Sequence, residues 1–160
     1  MTEKMLNAIC ADVPHTNIRL ASLIGPQFSQ RIINRLIQRA LNGETLLINQ
    51  SEQTFGFLDV RDATDGILSL LEIDKLKWRQ VYNLGIMKAY SIADIVDVIK
   101  EVFKEKQITI PDIVYKQGIE KGTSAVSYLE LSRDTGYKPR IQLKQSVEEI
   151  TEYIMENQWG

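Results

Sequence analysis

The spacing of apolar residues along the chain predicts helices that alternate with short strands. In several stretches apolar side chains recur every three or four positions, as in a helix with one buried face. Such helices are predicted at 2–11, 29–41, 62–72, 91–103, 128–135 and from 146 onwards. Short apolar runs bounded by Gly, Pro or polar residues predict strands at 17–24, 46–48, 57–60, 81–84 and 113–115. This alternation predicts a mixed α/β (α+β) fold with several short strands and about five or six helices.

Polar residues at the helix starts predict where three of the helices begin. Asp62 is expected to cap the helix that follows the strand at 57–60. Ser91 and Asp94 have the spacing of a capping box, in which each side chain accepts a hydrogen bond from the backbone N–H of the other residue. Ser146 and Glu149 repeat this spacing, so the last helix is expected to begin at Ser146.

Two polar stretches interrupt the pattern of apolar residues. Residues 49–54 are predicted to form a turn, and residues 117–124, which contain two glycines, are predicted to form a flexible loop. Within the predicted helix at 62–72, an apolar face is expected to consist of Ala63, Ile67, Leu68 and Leu71, which recur at helical spacing.

Composition and charge narrow the class of protein. With 160 residues, 44% of them apolar, the chain is large enough for one domain with its own core. Its formal net charge is −2 and its basic residues form no block, which argues against binding to nucleic acid or to a membrane surface. Cys10 is the single cysteine, so no internal disulfide is expected, and no Cys/His spacing indicates a metal site. Residues 1–10 carry acid and base where a signal peptide needs an apolar core, so a cytoplasmic protein is expected.

Six stretches, in this order, resemble the C-terminal half of the extended short-chain dehydrogenase/reductase family, the NAD-dependent epimerases and dehydratases that act largely on nucleotide sugars. They are RLASLIGP at 19–26, INRLIQRALNGETLLI at 33–48, FLDVRDATDGI at 57–67, VYNLG at 81–85, YSIADIVDVIKEV at 90–102 and TGYKP at 135–139. The resemblance extends over essentially the whole chain. It implies that residues 1–26 are a remnant helix and strand of a nucleotide-binding domain, and that residues 27–160 are a substrate-binding domain.

Two motifs on which the family's chemistry depends are absent from the sequence. The family binds NAD or NADP through a glycine-rich loop of the form Gly-x-x-Gly-x-x-Gly, and it transfers a proton through a Tyr-x-x-x-Lys pair. Neither pattern occurs in this chain. Glu3-Lys4 resembles a pair that commonly follows the family's catalytic lysine. The chain therefore resembles a family member whose first residue lies just after the position of that lysine. We expect no cofactor site and no catalytic residue in this chain alone, although a full-length parent would use NAD or NADP.

The resemblance also implies three substrate-binding positions, namely Ser22, Asn49 and Lys121. Ser22 stands where the family often has an Asn near the sugar, Asn49 where it often has an aromatic residue beneath the base, and Lys121 where it has an Arg in a late loop. A serine in a buried strand more often bonds to the backbone, and a lysine in a surface loop is usually only solvated. The family's phosphate-binding Arg-Asp-Phe/Tyr is replaced by Phe55-Gly56-Phe57. This replacement argues against a nucleotide-sugar substrate and is compatible with a smaller or differently phosphorylated one.

These observations support two functions of different classes. The first is the substrate-binding C-terminal portion of an NAD-dependent epimerase/dehydratase-like protein, with a sugar-like small-molecule substrate and no catalytic competence alone. The second is a free-standing, non-catalytic module that binds a ligand or a protein. Because the apolar faces of the first helix and strand would lack their usual neighbours, a homo-oligomer that forms through residues 1–26 is expected.

Overall fold

The computed structural model describes residues 3–157, which form an alternating mixed α/β fold. The helices are α1 Glu3–Ile9, α2 Ile32–Leu41, α3 Val60–Leu71, α4 Ile92–Glu105, α5 Leu129–Thr135 and α6 Leu143–Asn157, with a 3-10 turn at Lys75–Lys77. The strands are β1 Asn17–Leu20, β2 Ser22–Ile24, β3 Leu46–Phe55, β4 Phe57–Asp59, β5 Val81–Leu84, β6 Tyr90–Ser91 and β7 Ile113–Thr123. The predicted fold class is therefore confirmed. No helix in this part of the chain is long and apolar enough to cross a membrane.

The stretch at 17–24, predicted as one strand, forms two strands that pair with different partners. β1 pairs in parallel with β5, whereas β2 pairs in parallel with β4. The change of partner occurs at Ala21, whose backbone N–H donates to the carbonyl of Leu84 at 3.0 Å. The periodicity of a single apolar run cannot reveal such a change of partner, because both halves of the run are apolar.

The predicted turn at 49–54 and the predicted loop at 117–124 are both wrong. Residues 49–54 lie within β3, and residues 117–123 lie within β7. These two strands pair in parallel from Leu46 and Ile113 to Thr54 and Thr123, with a register shift between Gln50 and Glu52. Their second halves are polar because they are largely exposed to solvent, so they lack the apolar alternation that identifies a half-buried strand.

The core consists of two hydrophobic clusters. The first cluster lies between α2, α4, α6 and strand β3, and the second lies between α3, α5 and strand β5. Strand β4 contributes to both, because successive side chains of a strand point to opposite faces. Phe57 packs into the first cluster and Leu58 into the second. The second cluster also contains Ala21, so it joins residues on both sides of position 26.

The helix starts agree with the sequence in one case and differ in two. Ser91 and Asp94 form the predicted capping box of α4. Helix α3, however, is capped by Asp59 rather than by Asp62, since the Asp59 side chain accepts from the backbone N–H of Arg61. Helix α6 already begins at Leu143, which places Ser146 inside the helix and not at its start.

The predicted inner face of α3 is correct for Ala63 and wrong for its other three members. Ile67, Leu68 and Leu71 are exposed, and Gly66 and Leu70 are buried instead beside Ala63. Gly66 allows this rotation of the helix, because a Cβ on it would lie 2.5 Å from Leu84 Cδ1. The helix therefore approaches β5 through a residue without a side chain, which a count of apolar positions does not detect.

A buried hydrogen bond fixes α6 to the corner between β4 and α3. The hydroxyl of Ser146 donates to Asp59 Oδ2 at 2.7 Å, and both side chains are almost completely buried. The same carboxylate caps α3. One side chain therefore joins the start of α3 to the first turn of α6, 87 positions further along the chain.

We predict that Ser146→Ala lowers the free energy of unfolding by about 1–2 kcal/mol, because it removes a hydrogen bond to a buried carboxylate. Ser124→Ala is the matched control, since Ser124 is exposed, and it should change stability by less than about 0.5 kcal/mol. Urea unfolding followed by circular dichroism measures both. Equal stability of the two variants would contradict a structural role for this hydrogen bond.

Candidate functional site

The carboxyl ends of β1 and β5 meet beside Ser22. Because these strands are parallel and in register, Leu20 and Leu84 lie side by side at their ends. Ser22 follows immediately as the first residue of β2 and pairs with Phe57 of β4. Its hydroxyl has no hydrogen-bond partner among residues 3–157. Ligands of open α/β sheets bind at the carboxyl ends of parallel strands, so Ser22 presents a free polar group at a suitable edge.

Two glycines allow another segment to pack closely beside this edge. A Cβ on Gly56 would lie 2.8 Å from Ala125 Cα, and a Cβ on Gly85 would lie 2.7 Å from Val126 Cβ. Gly56 lies between β3 and β4, and Gly85 follows β5 directly. The segment after β7 is therefore held against both corners through positions that accept no side chain. We refer to Ser22, Gly56, Gly85, Ala125 and Val126 as the strand-end site.

Neither Asn49 nor Lys121 belongs to the strand-end site. Both lie on the β3–β7 pair, and Ser22 lies in the separate β2–β4 pair. Asn49 is exposed and pairs with Lys116. Lys121 Nζ forms an ion pair with Glu52 Oε2 at 2.9 Å, and both side chains are more than 70% exposed. The structure therefore leaves Lys121 neutralised by an adjacent acid, in a strand and not in the predicted loop.

The Asp59 carboxylate is saturated with hydrogen bonds. Besides Ser146, it accepts from the backbone N–H of Arg61 at 2.9 Å and from the guanidinium of Arg61 at 2.9 Å on each oxygen. Burial raises the pKa of Asp59, but the hydrogen bonds from Arg61 and Ser146 outweigh it, and the net pKa lies below the ordinary value. Asp59 therefore stays ionised and is not available as a proton acceptor for a ligand.

A second buried carboxylate, Asp62, also has a structural role. It accepts from the backbone N–H of Arg140 at 3.1 Å and from that of Ile141 at 2.9 Å. It therefore holds the segment that leads into α6 against α3. Among the described residues, no group of three His, Cys, Asp or Glu side chains could hold a metal ion.

Comparisons with known proteins decide the family. The model of the NAD dependent epimerase/dehydratase family matches residues 1–85, which is just over half of the chain. The chain belongs to this family. No curated protein sequence matches the chain.

Several solved structures have the same fold as this family member. RMD from Pseudomonas aeruginosa with NADPH has a TM-score of 0.75 and 23% identity, and the match covers 97% of this chain and 53% of that chain. UDP-glucuronic acid 4-epimerase from Bacillus cereus, in complex with UDP-glucuronic acid and NAD, has a TM-score of 0.80 and 22% identity, with 96% and 50% covered. UDP-glucose 4-epimerase from Thermotoga maritima has a TM-score of 0.78 and 21% identity, with 98% and 51% covered. The epimerase-family chain thus spans about half the length of these structures.

The N-termini of α2, α3 and α4 do not fit the pyrophosphate of a dinucleotide. A pyrophosphate binds at a helix N-terminus whose backbone N–H groups are free and are approached through glycines. Here the N-terminus of α3 is already capped by the carboxylate of Asp59, and that of α4 by the capping box of Ser91 and Asp94. Helix α2 follows Arg31 without a glycine at its start. The sequence also contains no Gly-x-x-Gly-x-x-Gly, so we derive no chemical step through NAD.

Sequence analysis identified Ser22 but not the other members of the strand-end site. Gly85 was noted only as the end of a strand, and Ala125 and Val126 carry no chemical signal. Their role depends on close backbone approach between segments about 40–70 residues apart, and small residues at strand ends are the one hint that the sequence contains.

We predict that acid destabilises the protein through Asp59. A carboxylate whose folded pKa is lowered stabilises the fold above its unfolded pKa of about 3.9, and this contribution is lost as the pH falls through the folded pKa. Asp59→Asn retains a capping oxygen but cannot titrate. Between about pH 6 and pH 3, the free energy of unfolding should therefore fall less steeply in Asp59→Asn than in the wild type. Urea titrations at several pH values measure this difference, and identical pH slopes would contradict it.

Proposed function

We propose that this chain is the substrate-binding portion of an NAD-dependent epimerase/dehydratase-like protein, with a sugar or nucleotide-sugar substrate. The observation that carries the proposal is the free hydroxyl of Ser22 at the carboxyl ends of β1 and β5, in a chain that belongs to this family. In this proposal residues 1–26 originate from the nucleotide-binding domain, residues 27–160 form the substrate-binding domain, and the protein is cytoplasmic.

The chemistry of the strand-end site favours contacts to the sugar over contacts to phosphate. Phe55 precedes Gly56, is partly exposed and provides apolar surface, and its ring stacks on that of the buried Phe57 with the centroids 5.8 Å apart. No basic side chain is among the five residues that define the site. A diphosphate would therefore gain no ion pair from these residues. A hydroxyl of a sugar ring can instead donate to or accept from Ser22.

By itself, this chain is proposed to be catalytically inactive. Exchange of a hydride requires a positioned nicotinamide, and abstraction of a hydroxyl proton requires a base within hydrogen-bond reach. Asp59 and Asp62 are engaged in structural hydrogen bonds. The sequence contains no Tyr-x-x-x-Lys pair, so these residues bind and orient a substrate without transferring a proton.

We predict that Ser22→Ala weakens binding of UDP-glucose roughly 3- to 10-fold, the effect of one lost hydrogen bond. Ser132→Ala in α5 is the matched control and should bind as the wild type does. Isothermal titration calorimetry measures all three proteins. Equal affinity of wild type and Ser22→Ala would remove Ser22 from the site, and no binding of UDP-glucose or UDP-glucuronic acid by the wild type would contradict the proposed function.

We further propose that the chain self-associates through residues 1–26. Helix α1 has no buried residue, and Ile9 on it is 70% exposed. Strand β1 pairs only with β5 among the described strands, so its other edge has unpaired backbone groups. A second copy that covers this edge and the adjacent helix would bury both features.

Light scattering coupled to size-exclusion chromatography tests the interface. Ile9→Lys should shift the protein towards the monomer, because it places a charge in the proposed contact. Leu68→Lys is the matched control, since Leu68 is 50% exposed on α3 and lies outside residues 1–26. A monomeric wild type would contradict self-association. If Leu68→Lys dissociated the protein and Ile9→Lys did not, the interface would lie on α3 and not on residues 1–26.

A further inference from the structure

A cleft lies on the turn between β2 and α2. None of the residues that line it belongs to the strand-end site. It consists of two adjoining depressions of about 620 and about 320 Å³ that share Pro26, Gln27 and Tyr153. The larger is lined further by Gly25, Phe28 and Val60, and the smaller by Ser29, Asn34, Gln38, Ile154 and Asn157. We call this the turn cleft. Its two parts lie in the range of volume that small-molecule sites occupy.

Asn34 at the turn cleft has a buried oxygen without a partner. The side chain is 1% exposed, and its amide nitrogen donates to the carbonyls of Gly25 at 3.0 Å and Pro26 at 3.1 Å. Its Oδ1 accepts no hydrogen bond. Exchanging the nitrogen and the oxygen would place an oxygen against two carbonyls, so the hydrogen-bond network itself fixes this orientation. Oδ1 is sealed from solvent in this structure, so a ligand hydroxyl or amide would supply the donor that it lacks once a neighbouring side chain of the turn cleft moves aside.

The side chains that line the turn cleft define the class of ligand. None of the eleven lining residues carries a charge, so an ionic group would lose its hydration without gaining an ion pair. Gln27 and Gln38 each carry an amide that both donates and accepts, as sugar hydroxyls do. Asn34 offers only its oxygen, because its amide nitrogen donates to two carbonyls, and the amide nitrogen of Asn157 already donates to the carbonyl of Tyr153. Phe28 and Tyr153 add aromatic surface at the other part of the cleft. Amides beside aromatic rings suit a neutral ring that is polar at its rim and apolar on its face.

We propose that the turn cleft binds an uncharged sugar ring. A ring hydroxyl donates to Asn34 Oδ1, the amides of Gln38 and Asn157 bind further hydroxyls, and a face of the ring packs against Phe28 or Tyr153. This site is separate from the strand-end site, because the two share no residue. A variant that loses binding at one site can therefore still be tested for binding at the other. The proposed sugar site in the turn cleft does not depend on the function proposed for the strand-end site.

Nuclear magnetic resonance of the 15N-labelled full chain tests the proposal with methyl β-glucoside and methyl β-galactoside as probes. The side-chain amide signals of Asn34 and Gln38 should shift during the titration, with a Kd of about 10 mM or tighter for at least one probe. Inorganic phosphate should leave these signals in place. If neither glycoside shifts them, or if phosphate shifts them as much, the proposal is wrong.

Variants separate binding from folding at the turn cleft. Asn34→Ala also removes the contacts that hold the turn, so Gln38→Ala is the primary test, since Gln38 is exposed. It should weaken glycoside binding roughly 3- to 10-fold while the backbone spectrum elsewhere stays unchanged. Gln80→Ala, in an exposed turn before β5, is the matched control and should bind as the wild type does. Equal affinity of the Gln38 and Gln80 variants would overturn the assignment.

Discussion

The buried Asp59 carboxylate is the contact on which the arrangement of the chain depends. It caps α3, binds Arg61 through both oxygens and accepts from Ser146 in α6. Removing one partner of such a buried charge lowers the free energy of unfolding by more than the intact pair contributes to it, because the remaining buried charge is left unpaired. Asp59 ends β4, so this contact also fixes the strand between the two hydrophobic clusters and, through it, the position of Gly56 beside Ser22.

The sequence predicts the helices well because they depend on local pattern, and it predicts the sheets poorly because they depend on partners. The capping box at Ser91 involves residues three positions apart and was predicted correctly. The partner change at Ala21 and the polar halves of β3 and β7 depend on contacts with distant strands, and all three were missed. Asp59 replaced Asp62 as the cap because Asp62 is engaged by the backbone of residues 140–141. No local signal distinguishes these two acids.

The candidate site shows the same division. Ser22 came from the family resemblance, and its free hydroxyl at a strand end is consistent with the predicted binding role. Lys121 was predicted as a phosphate partner in a loop, but it lies in β7 and pairs with Glu52. The glycine contacts of Gly56 and Gly85 with the segment after β7 could be found only from the three-dimensional arrangement. Asp59 and Asp62 are engaged in structural hydrogen bonds, and binding of a sugar at the strand-end site remains our proposal.

We propose that this epimerase-family chain binds a substrate but has no dinucleotide site. Thermal unfolding with and without NAD or NADP tests it most directly. A dinucleotide present at about 100 times its Kd would add about 2.7 kcal/mol to the free energy of unfolding, which would raise the Tm by several degrees. The account predicts an unchanged Tm with either dinucleotide. A rise of several degrees would show that the chain binds the dinucleotide through residues other than a glycine-rich loop, and would contradict the account.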